Sequence, residues 1–365
     1  MSGPKIGVVG LGTMGHIHAS NARQVGGEVV AGADVSADAR ESFTREFGAS
    51  VYDSHEDMLD EASVDAVVIT TPNAFHESVA VAALDADCDV MIEKPLADSL
   101  EAGKQIATAE DRSEGFCMVG FHNRFSPAAI TAKSYAERGR FGEITHVEAN
   151  YVRRRGIPAP GSWFTNAELA GGGALIDVGV HVIDFVLYLL GFPEITEVSG
   201  VSRSEFGSRP DYADPDGFGG SWTERGGSFD VDDSASAFLR CADGRTISLE
   251  VAWATNREPT NDVLLRGTEA GGRLEVGGDD LELYETGTAG IDHHVSSTIT
   301  GELARHGHLA EVEVFLDAVE RGQPPEENTV AEALTVQRIV EAIYESSNTE
   351  RAVPLAEAVV PSPAD

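Results

Sequence analysis

Apolar residues are arranged in two ways along this chain of 365 residues. As far as residue 120, short apolar runs alternate with segments whose apolar positions recur at helical spacing. The runs are Lys5–Val9, Glu28–Ala33, Ser50–Tyr52, Ala66–Thr70, Asp89–Ile92 and Phe116–Gly120. Helical patterns fill the gaps: to about Val25, over 37–47, from about Ser54, near 75–85 and over 99–112. Repeated strand–helix units predict a doubly wound parallel sheet whose ligand crevice lies at the C-terminal strand ends. Thr71-Pro72-Asn73, Glu93-Lys94-Pro95 and His122-Asn123-Arg124 all fall on that edge.

Beyond about residue 125 the period changes. A helix near 127–138 gives way to a strand over Ile144–Arg153, and further strand-like runs cover 195–202, 231–241, 245–254, 261–266, 272–276 and 281–285. Short turns such as Ala242-Asp243-Gly244-Arg245 read as hairpins, so the expectation is a large, open, mostly antiparallel sheet with helices on one face. Residues 203–230 lack periodicity and read as an extended loop, a candidate lid or oligomer contact. Two helices, about 305–321 and 329–347, flank Gln323-Pro324-Pro325. The fold class is therefore α/β: an N-terminal Rossmann sheet over 1–125, an α+β domain over 126–355, and a loose tail over 356–365.

One stretch breaks the apolar pattern from within. Gly171-Gly172-Gly173 opens a strongly apolar helix that runs to a stop at Gly191. An unpaired charge in such a helix is costly, yet Asp177, His181 and Asp184 share one face at spacings of four and three. A carboxylate and an imidazole in register make an acid–base pair. Asp184 reads as structural support.

Composition narrows the setting. Asp and Glu number 61 against 26 Lys and Arg, giving a formal net charge of −35. The acid is spread along the chain, which points to a folded protein with an acidic shell in a salt-adapted cytoplasm. Such a surface excludes nucleic-acid and anionic-membrane partners. No apolar run is expected to span a membrane, and the N-terminus opens into a strand without a signal peptide. Cys88, Cys117 and Cys241 fit no metal spacing and read as buried thiols. His293, His294, His306 and His308 lack accompanying ligand spacing, so no metal is expected.

Against that background the chemical motifs are plain. Gly10-Leu11-Gly12-Thr13-Met14-Gly15 lies between a strand and a helix, the G-x-G-x-x-G context for a pyrophosphate at a helix N-terminus. Asp34 ends the second strand about 20 residues beyond Gly15, where a carboxylate accepts from the ribose diol and repels a 2′-phosphate. NAD is favoured, and Ser36 and Arg40 keep NADP open. Lys94, one of four lysines, follows an apolar strand and precedes a proline. His16 and His18 read as packed or solvent-facing, and His76 as structural or at the cofactor edge. The cofactor-binding candidates are Gly10, Gly12, Thr13, Met14, Gly15, Asp34, Thr71, Pro72, Asn73, His76, Glu93, Lys94 and Arg124.

These motifs, with the Gly171–Gly191 stretch, resemble in order and spacing the glucose–fructose oxidoreductase/inositol dehydrogenase/rhizopine-catabolism (Gfo/Idh/MocA) family over roughly residues 4–355. The resemblance implies a nicotinamide-dependent dehydrogenase of sugars, glycosides or inositols, with Lys94, Asp177 and His181 catalytic. It also implies a homodimer or homotetramer built through the open sheet, and a substrate site under the segment of Arg153, Arg155 and Trp163. The residues agree: His181 as base, Lys94 stabilising developing alkoxide, Asp177 orienting substrate or His181, and Trp163 as an apolar wall. Two alternatives remain, an NAD-assisted glycoside hydrolase and a non-catalytic nucleotide-responsive binding protein.

Overall fold

The computed structural model describes residues 3–159, 161–215 and 229–355. Six parallel strands form the first sheet: β1 (Lys5–Val9), β2 (Glu28–Ala33), β3 (Ser50–Tyr52), β4 (Ala66–Ile69), β5 (Asp89–Glu93) and β6 (Cys117–Gly120), ordered β3-β2-β1-β4-β5-β6. Helices α1 (Thr13–Gln24), α2 (Ala37–Phe47), α3 (His55–Glu61), α4 (His76–Asp85) and α5 (Leu100–Glu110) connect them. The central strands are buried on both faces, which is why they read as continuous apolar runs rather than alternations. Strand order reverses between β1 and β4, so a crevice opens where the loops after those strands part.

Helix α6 (Pro127–Glu137) leads to the second sheet, and its start is set by Ser126, whose hydroxyl accepts from the Ala129 N–H, with proline at the first helical position. The sheet comprises β7 (Ile144–Val152), β8 (Ile195–Arg203), β9 (Ser234–Cys241), β10 (Thr246–Ala252), β11 (Asp262–Gly267), β12 (Gly271–Glu275), β13 (Asp280–Gly287), β14 (His293–Thr300) and β15 (Val353–Pro354). Their order is β14-β13-β12-β11-β7-β10-β9-β8-β15, antiparallel apart from β7 against β10. One face alternates into the core, as Ala235, Ala237 and Leu239 do from β9.

Helix α8 (Val180–Leu190) lies wholly buried on that face, preceded by the short α7 (Ala167–Ala170). The stretch Ala167–Leu190 is long and apolar enough to cross a membrane, contrary to expectation, but 94% of its most apolar 18 residues are buried inside the protein. Helices α9 (Gly307–Arg321) and α10 (Val330–Thr349) complete the fold, the latter started by a reciprocal capping box of Thr329 and Glu332. Although it follows the second sheet in sequence, α9 crosses back to pack on α1, placing Val312 and Phe315 in the same core cluster as Phe116. The predicted 203–230 loop falls partly on residues outside those described, and the 356–365 tail falls entirely outside them.

Two corrections follow from the packing. Arg124, expected at the cofactor, is fully buried and turned inward: Nε and a terminal nitrogen fork onto Asp184, and Nη1 donates to Glu332 at 2.8 Å. Asp184 is thereby explained as half of a buried ion pair tying the first-sheet edge to α8 and α10. Arg155, expected at the substrate, donates to the carbonyls of Ala213 and Thr255 and to Asn256 Oδ1, outside the crevice. The strand alternation that put it beside Arg153 ends at Val152. Replacing Arg124 with methionine strands Asp184 in the core, and chemical denaturation should register a loss of about 3–5 kcal/mol; a midpoint unmoved by Arg124→Met would mean the pair does not support the fold.

Candidate active site

The crevice has two connected parts that share Thr70, Thr71 and Trp163. The outer part is lined by Gly10, Gly12, Asp34, Pro72 and Phe75, and the inner part by Met14, Asn73, Lys94, Asp177 and His181. Gly10 turns with φ of 92°, and a Cβ on Gly15 would lie 2.2 Å from the Gly10 carbonyl oxygen, so both glycines are required by the turn. Gly12 differs: nothing lies within 4 Å of where its Cβ would stand, leaving backbone open to a ligand.

Helix α1 starts at Gly12 without a side-chain cap, so its first N–H groups are free, and Thr13 opens to solvent at its first turn. Asp34 is held by the N–H groups of Leu11 (2.8 Å) and Ser36 (2.7 Å). Thr71 keeps a buried hydroxyl without a partner. Open backbone, uncapped helix, fixed carboxylate and orphaned hydroxyl fit a dinucleotide.

Not every candidate faces that ligand. Asn73 is buried and donates to the Ala170 carbonyl at 2.8 Å, bridging the two halves. Of its two readings, structural or at the cofactor edge, the contacts of His76 match the structural one: its ring nitrogens lie 2.9 Å from the Pro95 carbonyl and 3.0 Å from the Thr71 carbonyl, so it braces two crevice loops.

The inner part is built around one contact between the halves. Lys94, just past β5, donates from Nζ to Asp177 Oδ1 at 3.0 Å and to the Asp177 carbonyl at 3.1 Å. That carbonyl is within reach because Leu175–Gly179 is a widened π-helical turn rather than the continuous α-helix expected. Asp232 secures the turn, accepting from the N–H groups of Gly173 (2.8 Å) and Leu175 (2.9 Å) and from the Tyr344 hydroxyl (2.6 Å). A Cβ on Gly173 would lie 1.8 Å from the Asp232 carbonyl oxygen, which accounts for the third glycine. The second Asp177 oxygen accepts from the Trp253 indole at 2.9 Å.

With both oxygens so engaged, Asp177 makes no hydrogen bond to His181 among the described residues. His181 Nδ1 instead meets the Asn123 side-chain amide at 3.2 Å. Burial would raise the Asp177 carboxyl, but Lys94, Arg153 and the Lys94 and Trp253 hydrogen bonds outweigh it and hold the group below its ordinary value. Burial, then the charge of Lys94, holds His181 well below the usual imidazole value, so it is neutral at neutral pH. Arg153 lies near enough to act on both electrostatically, while also reaching the Gly156 carbonyl and the Tyr151 ring. Trp163 stacks on Phe164 at 3.8 Å between ring centroids, an apolar wall bordering both parts of the crevice.

A histidine cluster escaped sequence reasoning. His18 Nε2 lies 2.6 Å from Glu93 Oε1, and His308, arriving on α9, brings the ligating atoms of all three within 4.8 Å. His122 stacks on His308 at 3.8 Å and meets His181 edge-on at 5.2 Å. Glu93 also accepts from the Lys94 main-chain N–H at 3.2 Å, so both its oxygens are engaged; burial opposes its charge, but His18 and the neighbouring cations bring it down to about 2.

The family model "Oxidoreductase family, NAD-binding Rossmann fold" matches residues 4–121, and "GFO/IDH/MocA C-terminal domain" matches residues 129–274. The D-glucoside 3-dehydrogenase of Escherichia coli (strain K12) is 29% identical over 331 residues, 90% of each chain. The levoglucosan dehydrogenase of Pseudarthrobacter phenanthrenivorans is 32% identical over 272 residues, 68% of this chain and 67% of its own. A solved levoglucosan dehydrogenase complexed with NADH and levoglucosan superimposes with TM-score 0.84 at 25% identity, covering 97% of this chain and 100% of that one.

Burial, then neighbouring His308, lowers His122 to about 3 against 6.5 for a free imidazole. A depressed folded value means the unfolded chain takes up the proton first, so this group's stabilisation is present above 6.5 and lost on acidification towards 3. Between pH 7 and 5 the loss from this one residue is on the order of 2 kcal/mol. Thermal melts of His122→Phe should therefore fall less over that interval than those of the parent protein; parallel curves would refute the buried neutral imidazole.

Proposed function

The chain belongs to the GFO/IDH/MocA oxidoreductase family, as an NAD-binding enzyme acting on sugars or inositols, and we propose that it oxidises a secondary hydroxyl of a sugar, glycoside or inositol. The observation that carries this reading is the Lys94–Asp177 contact beside an uncharged, buried His181. NAD, when bound, accepts the hydride. Gly10, Gly12, the start of α1 and Asp34 hold the dinucleotide, and Asp34 selects NAD over NADP by repelling a 2′-phosphate.

The roles of the remaining groups follow from their partners. Lys94 has three N–H donors, of which two serve Asp177, leaving one for the substrate oxygen. That donor lowers the hydroxyl's pKa and stabilises negative charge as it develops. Asp177 accepts on both oxygens already and balances the lysine charge, which makes it a poor proton acceptor. His181 takes the hydroxyl proton at Nε2 as the tautomer whose Nδ1–H donates to the Asn123 amide oxygen, the amide being turned over so that its oxygen rather than its nitrogen meets Nδ1. Trp163 and Phe164 offer a flat apolar surface to a sugar face, with Arg153 at the edge. The outer face of the nine-stranded sheet, where Phe238 and Tyr284 are exposed, serves as the contact of a homodimer or homotetramer. The acidic shell suits a salt-rich cytoplasm.

A panel of sugars, glycosides and inositols in molar salt, each with NAD and with NADP, tests the reading through absorbance of reduced cofactor. Free sugar released without net reduction would establish a hydrolase instead, and activity with NADP alone would overturn the role of Asp34. His181→Ala and Lys94→Ala should each lower turnover by about two orders of magnitude or more while dinucleotide binding stays nearly intact. Because His181 is held well below 6.5, kcat/KM should stay level on acidification through that value and fall only beneath it.

A further inference from the structure

We propose that Trp253 is a positioning residue for the reaction: its indole N–H turns the Asp177 carboxylate so that the opposite oxygen stays on Lys94. The inference rests on the role assigned to Asp177 above. Trp253 follows the last residue of β10 and is 0% exposed, so the side chain has no contact with solvent. Its main-chain N–H donates to the Asp233 carbonyl at 2.9 Å, which anchors it next to the Asp232 that secures the Gly173–Leu175 turn. One segment therefore fixes both the backbone and the side chain of the site.

The chemistry of the donor makes the contact more than packing. An indole N–H donates and cannot accept, so the oxygen it meets must offer a lone pair. A carboxylate with one donor on each oxygen has its plane fixed, since rotation that keeps one bond breaks the other. Lys94, from the end of β5, supplies one of those donors, and Trp253 supplies the other. Among the described residues, Arg153, past β7, also acts on this carboxylate by its charge, and His181, one turn on from Asp177, is itself under Lys94, His122, His308 and Arg153. None of these replaces the Trp253 bond. Without it, Asp177 is free to turn away from Lys94, and burial favours its protonation. A protonated Asp177 no longer balances the lysine or accepts from it.

Trp253→Phe removes the N–H and keeps most of the ring. With NAD and the best substrate of the panel, kcat should fall about tenfold, the weight of one hydrogen bond to a charged group, while KM for NAD is unchanged. The acid limb of the kcat profile should move to higher pH, which a loss of packing alone would not produce. Asp177→Asn should abolish the difference, so that the double variant is no slower than Asp177→Asn alone. Wild-type kcat and pH profile in Trp253→Phe, or losses that multiply in the double variant, would overturn the proposal provided Asp177→Asn is itself impaired. If Asp177→Asn retains full turnover, the role of Asp177 fails instead. Should Trp253→Phe not fold, 3-benzothienylalanine at position 253 keeps the bicyclic shape without the N–H and carries the same expectations.

Discussion

A charge taken out of water must meet its opposite, and in this protein that requirement joins the two halves of the chain. Lys94 belongs to the edge of the parallel sheet and Asp177 to the widened turn before α8, and they meet at 3.0 Å with side chains only 16% and 15% exposed. Desolvation opposes each group, and their mutual contact offsets it, with the Trp253 hydrogen bond and the charge of Arg153 adding to the balance on Asp177. The crevice therefore keeps its shape for electrostatic reasons as well as through packing. Asn73 on Ala170 and Gln337 on the Ala97 carbonyl add neutral bonds across the same seam.

The same constraint explains where a strongly acidic chain places its few cations. Arg124 is enclosed by Asp184 and Glu332 with no exposed side-chain surface, and the Phe121, Tyr188 and Phe192 rings surround its guanidinium. Lys94 and Arg124 lie on neighbouring strand ends yet perform different work. One faces the crevice with a donor to spare, and the other is fully occupied inside. Surface pairs such as Arg45 with Glu41 contribute little by comparison, since water and salt screen them.

That difference marks the limit of what was legible beforehand. The glycine motif, the strand ends and the Gly171–Gly191 stretch are local patterns, and local patterns survive folding: Gly10, Gly12, Asp34, Lys94, Asp177 and His181 all line the crevice. Arg124 and Arg155 also sit in local patterns, but the direction each side chain takes depends on distant partners. Glu332 lies 208 positions from Arg124, and nothing near Arg124 announces it. Trp253 reads as another core aromatic at a strand end, and His308 reaches the crevice only because α9 crosses back to the first sheet. Strand β14 was missed because nearly all its residues are exposed, which leaves no alternation to detect.

On the proposed function, the electrostatics of the site favour one of its two acid–base groups as the proton acceptor. Asp177 and His181 share a helix face, and their spacing alone allows either to serve as the base. Their partners do not: Asp177 accepts from an ammonium and from an indole, both of which favour its charged form and occupy its lone pairs. His181 has an amide on one nitrogen and feels the same ammonium as a repulsion, which keeps it neutral. One cation thus acts in opposite senses on its two neighbours, holding the carboxylate ionised and the imidazole unprotonated. On the proposed function the imidazole, with Nδ1 protonated, is the group with a lone pair to give, and the negative charge that proton removal leaves on the substrate oxygen falls to the spare donor of Lys94.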